Sequence, residues 1–511
     1  MFKFSTAVPQ RPNRFYRSVL ASLLTSSLVT PWIGTQPAHA QALIPCQLSA
    51  ESIQQKESLR VAALKGDTEA QKRYQALVSK QANQLQECRS QNWPRNQAIW
   101  LRLYPCDLRP GSINALLDQI VNKGYNEVYV EVFYDAQVLL PQADNPTIWQ
   151  SAIQIPGAER RDLLAETIEK GHQRGLKVYA WLFTMNFGYA YAQRPDRQAV
   201  LARNGAGKTS LEVVNDNATD TDLTKGDAAK AFIDPYHPQA REDYRQLVEA
   251  VIKRKPDGVL FDYVRYPRGT GVASVASKTQ DLWIYGEASR QVLFQRALNN
   301  KGLDLIRRFL SQGYISTQDV AQVDQMYFGE EEPLWQGRNT DRTKNLTSPA
   351  QRQPILQIDL WQLSVAHAAQ GVLDFVAAAA QPAQLRGIRT GTVFFPGGNQ
   401  AVGQRGYDSR IQPWDRFPST MEWHPMMYAN CGETGCIVNE LQRVLNLAPF
   451  GAEIKPAIAG DWGKPVSNRP SLEQQMRAIQ QAAPQIQTVS HFAFSWQEPE
   501  SDRERKFCSL R

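Results

Sequence analysis

Between Ala98 and the C-terminus, short runs rich in Val, Ile, Phe and Tyr alternate with stretches of helical periodicity. No other feature restricts the fold as much. Eight runs have strand character: Ala98 to Tyr104, Glu127 to Phe133, Lys177 to Phe183, Gly258 to Asp262, Gly391 to Phe395, His424 to Tyr428, Lys455 to Ala459 and Val489 to Trp496. Strands joined by helical crossovers pair in parallel, and eight such units close an α/β fold of the (β/α)8 TIM-barrel type. The stretches between them carry helix punctuation, with Pro238 in a first turn and Gly175 after a last one. An open doubly wound sheet is the alternative. Its dinucleotide-binding form loses support because no Gly-x-Gly-x-x-Gly follows the first strand. Two insertions, Asn204 to Asp227 and Arg268 to about Pro354, follow strands three and four, on the face where barrels carry their sites. The acidic run Glu330-Glu331-Glu332 in the second reads as solvated surface.

Residues 1–40 read as an export signal outside the fold: Lys3, Arg11, Arg14 and Arg17 precede an apolar stretch from Val19 to Val29, and Ala38-His39-Ala40 offers the small residues a signal peptidase needs. The apolar stretch is shorter than the roughly 20 residues that span a bilayer, which weighs against a retained anchor. Residues 41–95 form a helical accessory segment: Glu51 to Arg89 is rich in Gln, Ala, Leu, Lys and Glu and breaks at Gly66-Asp67, the pattern of two helices joined by a turn. Residues 96–511 are then the barrel.

All six cysteines follow the signal, in a compartment where disulfides form. Cys431 to Cys436 has the spacing of a short bridged loop, and Cys46 with Cys88 would staple the helical pair. No Cys-x-x-Cys occurs and the histidines are scattered, so neither a metal nor a cofactor is expected. With 57 basic and 50 acidic residues, and four basic ones in the signal, the remaining charge is too small to argue for nucleic acid.

In a parallel barrel the C-terminal strand ends converge on one mouth, so the residues there are the candidates for chemistry. Strand one ends near Arg102, strand two near Glu131, Tyr134 and Asp135, strand three near Trp181 and Asn186, and strand four in Asp262 with Arg265 and Tyr266 beyond it. Strand six ends in Tyr428 and Asn430, strand seven in Asp461 and Trp462, strand eight in Trp496 and Glu498. Carboxylates among Trp and Tyr suit a sugar, which offers C–H faces to rings and hydroxyls to polar groups. Glycosidic cleavage normally needs two carboxyls. Asp262 is the first, emerging from Gly258-Val259-Leu260-Phe261, with Arg265 near enough to hold it ionised; a structural Asp262–Arg265 salt bridge is the alternative. For the second, Glu498, Asp461 and Glu131 qualify by position, and Glu498 is preferred because it closes the last strand beside Trp496. Glu422 precedes strand six and falls on the opposite face. His237 lies on the site face, where it either touches substrate or caps a helix.

Lys255-Pro256-Asp257-Gly258-Val259-Leu260-Phe261-Asp262-Tyr263-Val264-Arg265-Tyr266-Pro267 resembles the strand-four signature of the glycoside-hydrolase-like barrel family known as family 10 glycosylhydrolase-like. Arg174 to Trp181, Asp234 to Arg241 and Pro425 to Tyr428 resemble its strand three, its next helix start and its strand six. The resemblance implies O-glycosyl hydrolysis of cell-wall or extracellular glycans. Many members carry a second Asp directly after the first; here Tyr263 stands there, so the catalytic partner must come from another strand.

The expectation is therefore an exported glycoside hydrolase, periplasmic or extracellular and compatible with envelope association, whose partner is a polysaccharide. A catalytically silent glycan-binding envelope protein on the same scaffold is the alternative.

Overall fold

The computed structural model describes residues 46–216, 230–428 and 431–508. The signal at residues 1–40 and residues 217–227 of the Asn204 to Asp227 insertion lie outside the described residues.

Eight parallel strands close a barrel: β1 Asn96–Leu101, β2 Glu127–Tyr134, β3 Lys177–Phe183, β4 Gly258–Asp262, β5 Arg389–Phe394, β6 Glu422–Met427, β7 Ala457–Ala459 and β8 Thr488–Phe492. Each pairs with its successor and β8 pairs back onto β1, so no edge is left open. The period of two along each strand sorts the side chains. Trp100, Tyr129, Tyr179, Trp181 and His424 meet edge to face in the interior, while the alternate residues face the helices. Glycines make room for these rings: a Cβ at Gly258 would stand 2.2 Å from the Tyr179 ring, and one at Gly391 would press on Leu260 and His424. The interior is thus a packed core rather than a pore.

Strand eight is shorter than its apolar run suggests. It stops at Phe492, and Phe494–Gln497 forms a helical turn. Strand one stops at Leu101, and the Tyr104 hydroxyl turns away to donate to Asp502 at 3.1 Å.

At the floor, the N-terminal strand ends hold a buried ion network. The Glu422 carboxylate takes Lys455 Nζ at 2.9 Å, Arg389 at 2.8 Å, the Tyr179 hydroxyl at 3.1 Å and His424 Nε2 at 3.3 Å. Glu127 takes Lys177 at 3.1 Å and the Tyr129 hydroxyl at 3.0 Å. Burial raises Glu422, but the His424 hydrogen bond and the Lys455 and His424 charges outweigh it, holding the carboxyl well below its usual range.

The N-terminal segment forms helices α1 Ala50–Leu64 and α2 Thr68–Gln91, joined at Gly66, whose φ of 97° needs no Cβ, with Asp67 capping α2. The pair is anchored to the barrel's outer layer rather than merely solvated. The Tyr74 hydroxyl donates to Asp118 at 2.7 Å, Arg174 joins the same carboxylate at 2.9 Å, and Lys56 donates to Asn122 at 2.6 Å. Three disulfides join Cys46 to Cys88, Cys431 to Cys436, and Cys106 to Cys508. The last ties the loop after β1 to the C-terminal end across 402 positions.

The insertion after β4 is helical, with helices Glu287–Phe294, Asn300–Gln312 and Thr317–Met326 leading into the long helix Pro349–Gln384, which buries Leu356, Leu360, Val372, Phe375 and Val376 in the fold. Its acidic run lies at the surface, as the sequence suggests, with Glu331 exposed and Glu330 and Glu332 half-buried, but it also makes structural contacts. Glu330 accepts backbone N–H groups at the start of helix Asn300–Gln312, and Glu332 pairs with Arg338 and Arg352. The run pins the insertion together because it faces a helix start and two guanidinium groups.

Candidate active site

The C-terminal strand ends enclose a cavity of about 350 Å³ lined by Arg102, Glu131, Asp135, Trp181, Phe183, Lys230, Asp262, Tyr263, Arg265, Phe395, Met426, Tyr428 and Phe492. Strand periodicity places its key members. Asp262 follows Gly258 and Leu260 on the inward face of β4, and Glu131 follows Glu127 and Tyr129 on that of β2. A register shift between Glu131 and Phe133 then sends Phe133 outward onto Trp149 and Phe187, leaving Glu131 as the last inward side chain of β2.

Asp262 is 7% exposed. The Trp181 indole N–H donates to Oδ2 at 3.1 Å, and the Tyr263 backbone N–H donates to Oδ1 at 2.6 Å. Tyr263 has a φ of 53°, a conformation costing a non-glycine residue about 1 kcal/mol or more. The turn is held by Thr184 N–H on the Asp262 carbonyl at 2.7 Å and Met185 N–H on the Tyr263 carbonyl at 3.2 Å. Among the described residues Asp262 forms no ion pair, so the structural salt bridge to Arg265 does not form. Arg265 lies over the Tyr263 ring and donates to the Tyr266 carbonyl. Burial raises the Asp262 carboxyl above its ordinary value, against the Tyr263 N–H, the Arg265 charge and the Trp181 N–H.

Glu131 is 2% exposed. Arg102 pairs with its Oε2 and covers the Tyr134 ring at 4.3 Å, while Oε1 is buried with no hydrogen-bond partner among the described residues. Burial raises this carboxyl too. The Arg102 charge opposes the rise, and the negative charges of Asp135 and Asp262 add to it. Two desolvated carboxyls from different strands thus sense each other across one cavity, among Trp181, Phe183, Tyr428 and Phe492. Neighbouring acids of this kind separate into one protonated and one ionised group.

The remaining sequence candidates fall into three groups. Arg102, Trp181, Arg265 and Tyr428 line the cavity with the two acids, and Tyr134 stacks under Arg102 at its edge. Trp496 stands beside them, its ring 6.2 Å from Phe492 with Arg469 above it, and Asp461 lies in the loop after β7, 3.7 Å from Lys464. Asn430 lies outside the described residues.

The third group does not reach the cavity. Because β8 ends early, Glu498 swings behind the barrel, where it pairs with Lys123 and accepts from Gln119 at 2.8 Å. Trp462 packs edge-on against His491 and donates to the Tyr125 hydroxyl at 3.4 Å in the outer layer. Asn186 is buried, accepting the Gly188 N–H at 3.1 Å within a turn. Tyr266 is fully buried, its N–H on the Arg410 carbonyl. His237 caps helix Pro238–Ile252, its Nδ1 accepting the Gln239 N–H at 3.1 Å, with burial and then Arg197 lowering its pKa.

Sequence reasoning missed Phe183, Lys230, Tyr263, Phe395, Met426 and Phe492 as lining residues. Phe183 and Phe395 were legible as final inward residues of strands three and five, whereas Phe492 became the last of strand eight only because that strand stops early. Lys230 follows the first insertion and carried no signal.

A closed (β/α)8 barrel with paired acids and rings at its mouth is a glycosidase-like barrel. The sequence model of the Glycosyl hydrolase-like 10 family matches residues 101–297, which include Glu131, Trp181 and Asp262, in agreement with the resemblance of the strand-four segment. No curated protein matches the chain. Among solved structures, a hypothetical protein from Ruminiclostridium thermocellum ATCC 27405 is 15% identical over 33% of this chain and 77% of its own, with a TM-score of 0.23. The GH20 exo-β-N-acetylglucosaminidase of Vibrio harveyi, in complex with N-acetylglucosamine, is 9% identical over 84% of this chain and 58% of its own, with a TM-score of 0.39. The β-N-acetylhexosaminidase of Bacteroides fragilis NCTC 9343 is 9% identical over 80% of this chain and 62% of its own, with a TM-score of 0.38. This chain therefore spans less than two thirds of either enzyme, and at these TM-scores the likenesses carry no argument about activity.

Proposed function

We propose that this protein is an exported glycoside hydrolase acting on an extracellular or cell-wall polysaccharide, with Asp262 and Glu131 as its carboxyl pair. The observation that carries the reading is their shared cavity: two buried acids from β2 and β4, each with its pKa raised, among aromatic side chains. The hydrogen bonds support a division of roles. Both Asp262 oxygens accept N–H donors, which favours its ionised form and makes it the group facing the anomeric carbon, directly or through a water. Glu131 keeps Oε1 without a partner, so that oxygen can carry the proton delivered to the leaving glycosidic oxygen. Trp181, Tyr428 and Phe492 offer ring faces to the sugar. The three disulfides suit an oxidising compartment, which agrees with the signal read at residues 1–40.

The test is hydrolysis of peptidoglycan-type and other extracellular glycans by Asp262→Asn and Glu131→Gln. Asp262→Asn should lose several orders of magnitude in rate and keep glycan binding, since the carboxylate acts mainly in the transition state. Glu131→Gln should lose less on substrates with good leaving groups, which need less protonation. Full activity in Asp262→Asn would defeat the assignment. The Arg102–Glu131 ion pair favours a second reading, a glycan-binding protein without catalysis, because it occupies one oxygen of the acid. That reading predicts unchanged binding and no cleavage by the wild type.

A further inference from the structure

Arg265 is a buried cation facing a cavity. It is 5% exposed, and its guanidinium packs over the rings of Tyr263 at 4.6 Å, Phe232 at 5.6 Å and Phe395 at 5.9 Å. One N–H is used, by Nη1 on the Tyr266 carbonyl at 2.9 Å. Among the described residues no carboxylate contacts it, and Asp262 senses its charge only at a distance. A desolvated guanidinium without an acid partner is costly, and it persists where a ligand supplies the missing anion. Lys230 lies 4.8 Å from the same Tyr263 ring, so two cations share the β4 side of the mouth. Arg102, by contrast, is already committed to Glu131.

We propose that Arg265 recognises a carboxylate on the substrate, so that the glycan taken by this site is built from carboxylate-bearing sugars. The proposal rests on the glycosidase reading for the identity of the ligand as a sugar. A carboxylate fits better than a phosphate for two reasons. The planar guanidinium fork matches its two oxygens. A dianion would also meet more repulsion from the ionised Asp262 in the same cavity. The ring faces of Tyr263 and Phe395 beside the fork leave room for the sugar's apolar side, while Lys230 adds positive potential.

The experiment measures binding of D-glucuronate and of its methyl ester, by isothermal titration and by quenching of tryptophan fluorescence, in the wild type and in Arg265→Met. Wild type should prefer the free acid by about tenfold or more, the discrimination a desolvated charge-assisted contact supplies. Arg265→Met should abolish that preference. Should Arg265→Met not fold by circular dichroism, Arg265→Lys takes its place and should retain only part of it, having charge without the fork. Equal affinity for acid and ester, no saturable binding of glucuronate, or a preference undiminished in the folded variant would each overturn the proposal. These readouts do not involve turnover. Loss of the hydrolase reading through an active Asp262→Asn is therefore a separate result from loss of carboxylate recognition.

Discussion

At the floor of the barrel Glu422 meets two cations, a histidine and a tyrosine hydroxyl, whereas at the mouth Asp262 meets two neutral N–H groups and Glu131 leaves one oxygen unbonded. The same chemical group is buried at both ends, and its protonation is pushed in opposite directions. Glu422 is held well below the ordinary carboxylate range, while Asp262 and Glu131 are raised. The difference teaches that burial alone does not mark a functional acid. A buried acid that is fully paired stabilises the fold; one left short of partners costs stability and is poised for proton transfer.

The sharpest way to break this comparison is to neutralise one acid at each end. Asp262→Asn should remove glycan hydrolysis by several orders of magnitude. Its folded pKa is raised, so its contribution to stability is fully present below the unfolded pKa and declines as pH rises through the folded value. At neutral pH the variant should therefore unfold in urea at the same concentration as wild type, or a higher one. Glu422→Gln should do the reverse, costing about 3 kcal/mol in urea unfolding by leaving Lys455 and Arg389 without their shared anion, with hydrolysis per folded molecule retained. A floor variant that lost activity while fully folded would erase the distinction between the two ends.

The pH dependence sharpens it further. The stability Glu422 contributes is complete above its unfolded pKa of about 4.3 and is lost only as pH falls through its depressed folded value. The gap in unfolding free energy between wild type and Glu422→Gln should hold steady from neutral pH down to that unfolded value and narrow only in stronger acid. On the proposed carboxyl pair the acid limb of kcat/KM reports ionisation of Asp262, and it should instead fall above the ordinary carboxylate range of about 4. An acid limb at or below that range would contradict the desolvated mouth.

The smallest expected effect concerns His237, which stands on the site face but serves a helix. His237→Ala should cost about 1 kcal/mol in thermal unfolding, the usual worth of a cap, and leave affinity for glycan unchanged. A loss of affinity would return His237 to the site.

The sequence by itself determined the eight-strand alternation, the helical pair before it and the place of Asp262. These follow from local periodicity, since a strand's period of two and its apolar run dictate which residue emerges at its end. The Cys431–Cys436 bridge was legible through its short separation, and the Cys46–Cys88 bridge through the helical pair it staples. Only the tertiary structure decided which acid faces Asp262. Glu498 and Glu131 both stood near strand ends, but β8 turns into a helix after Phe492 and delivers Glu498 to Lys123, while a register shift after Glu131 turns Phe133 outward and leaves Glu131 the last inward side chain of β2. The partner across a closed barrel depends on where each strand stops and how its neighbours register with it, and those are set by contacts between residues far apart in the chain.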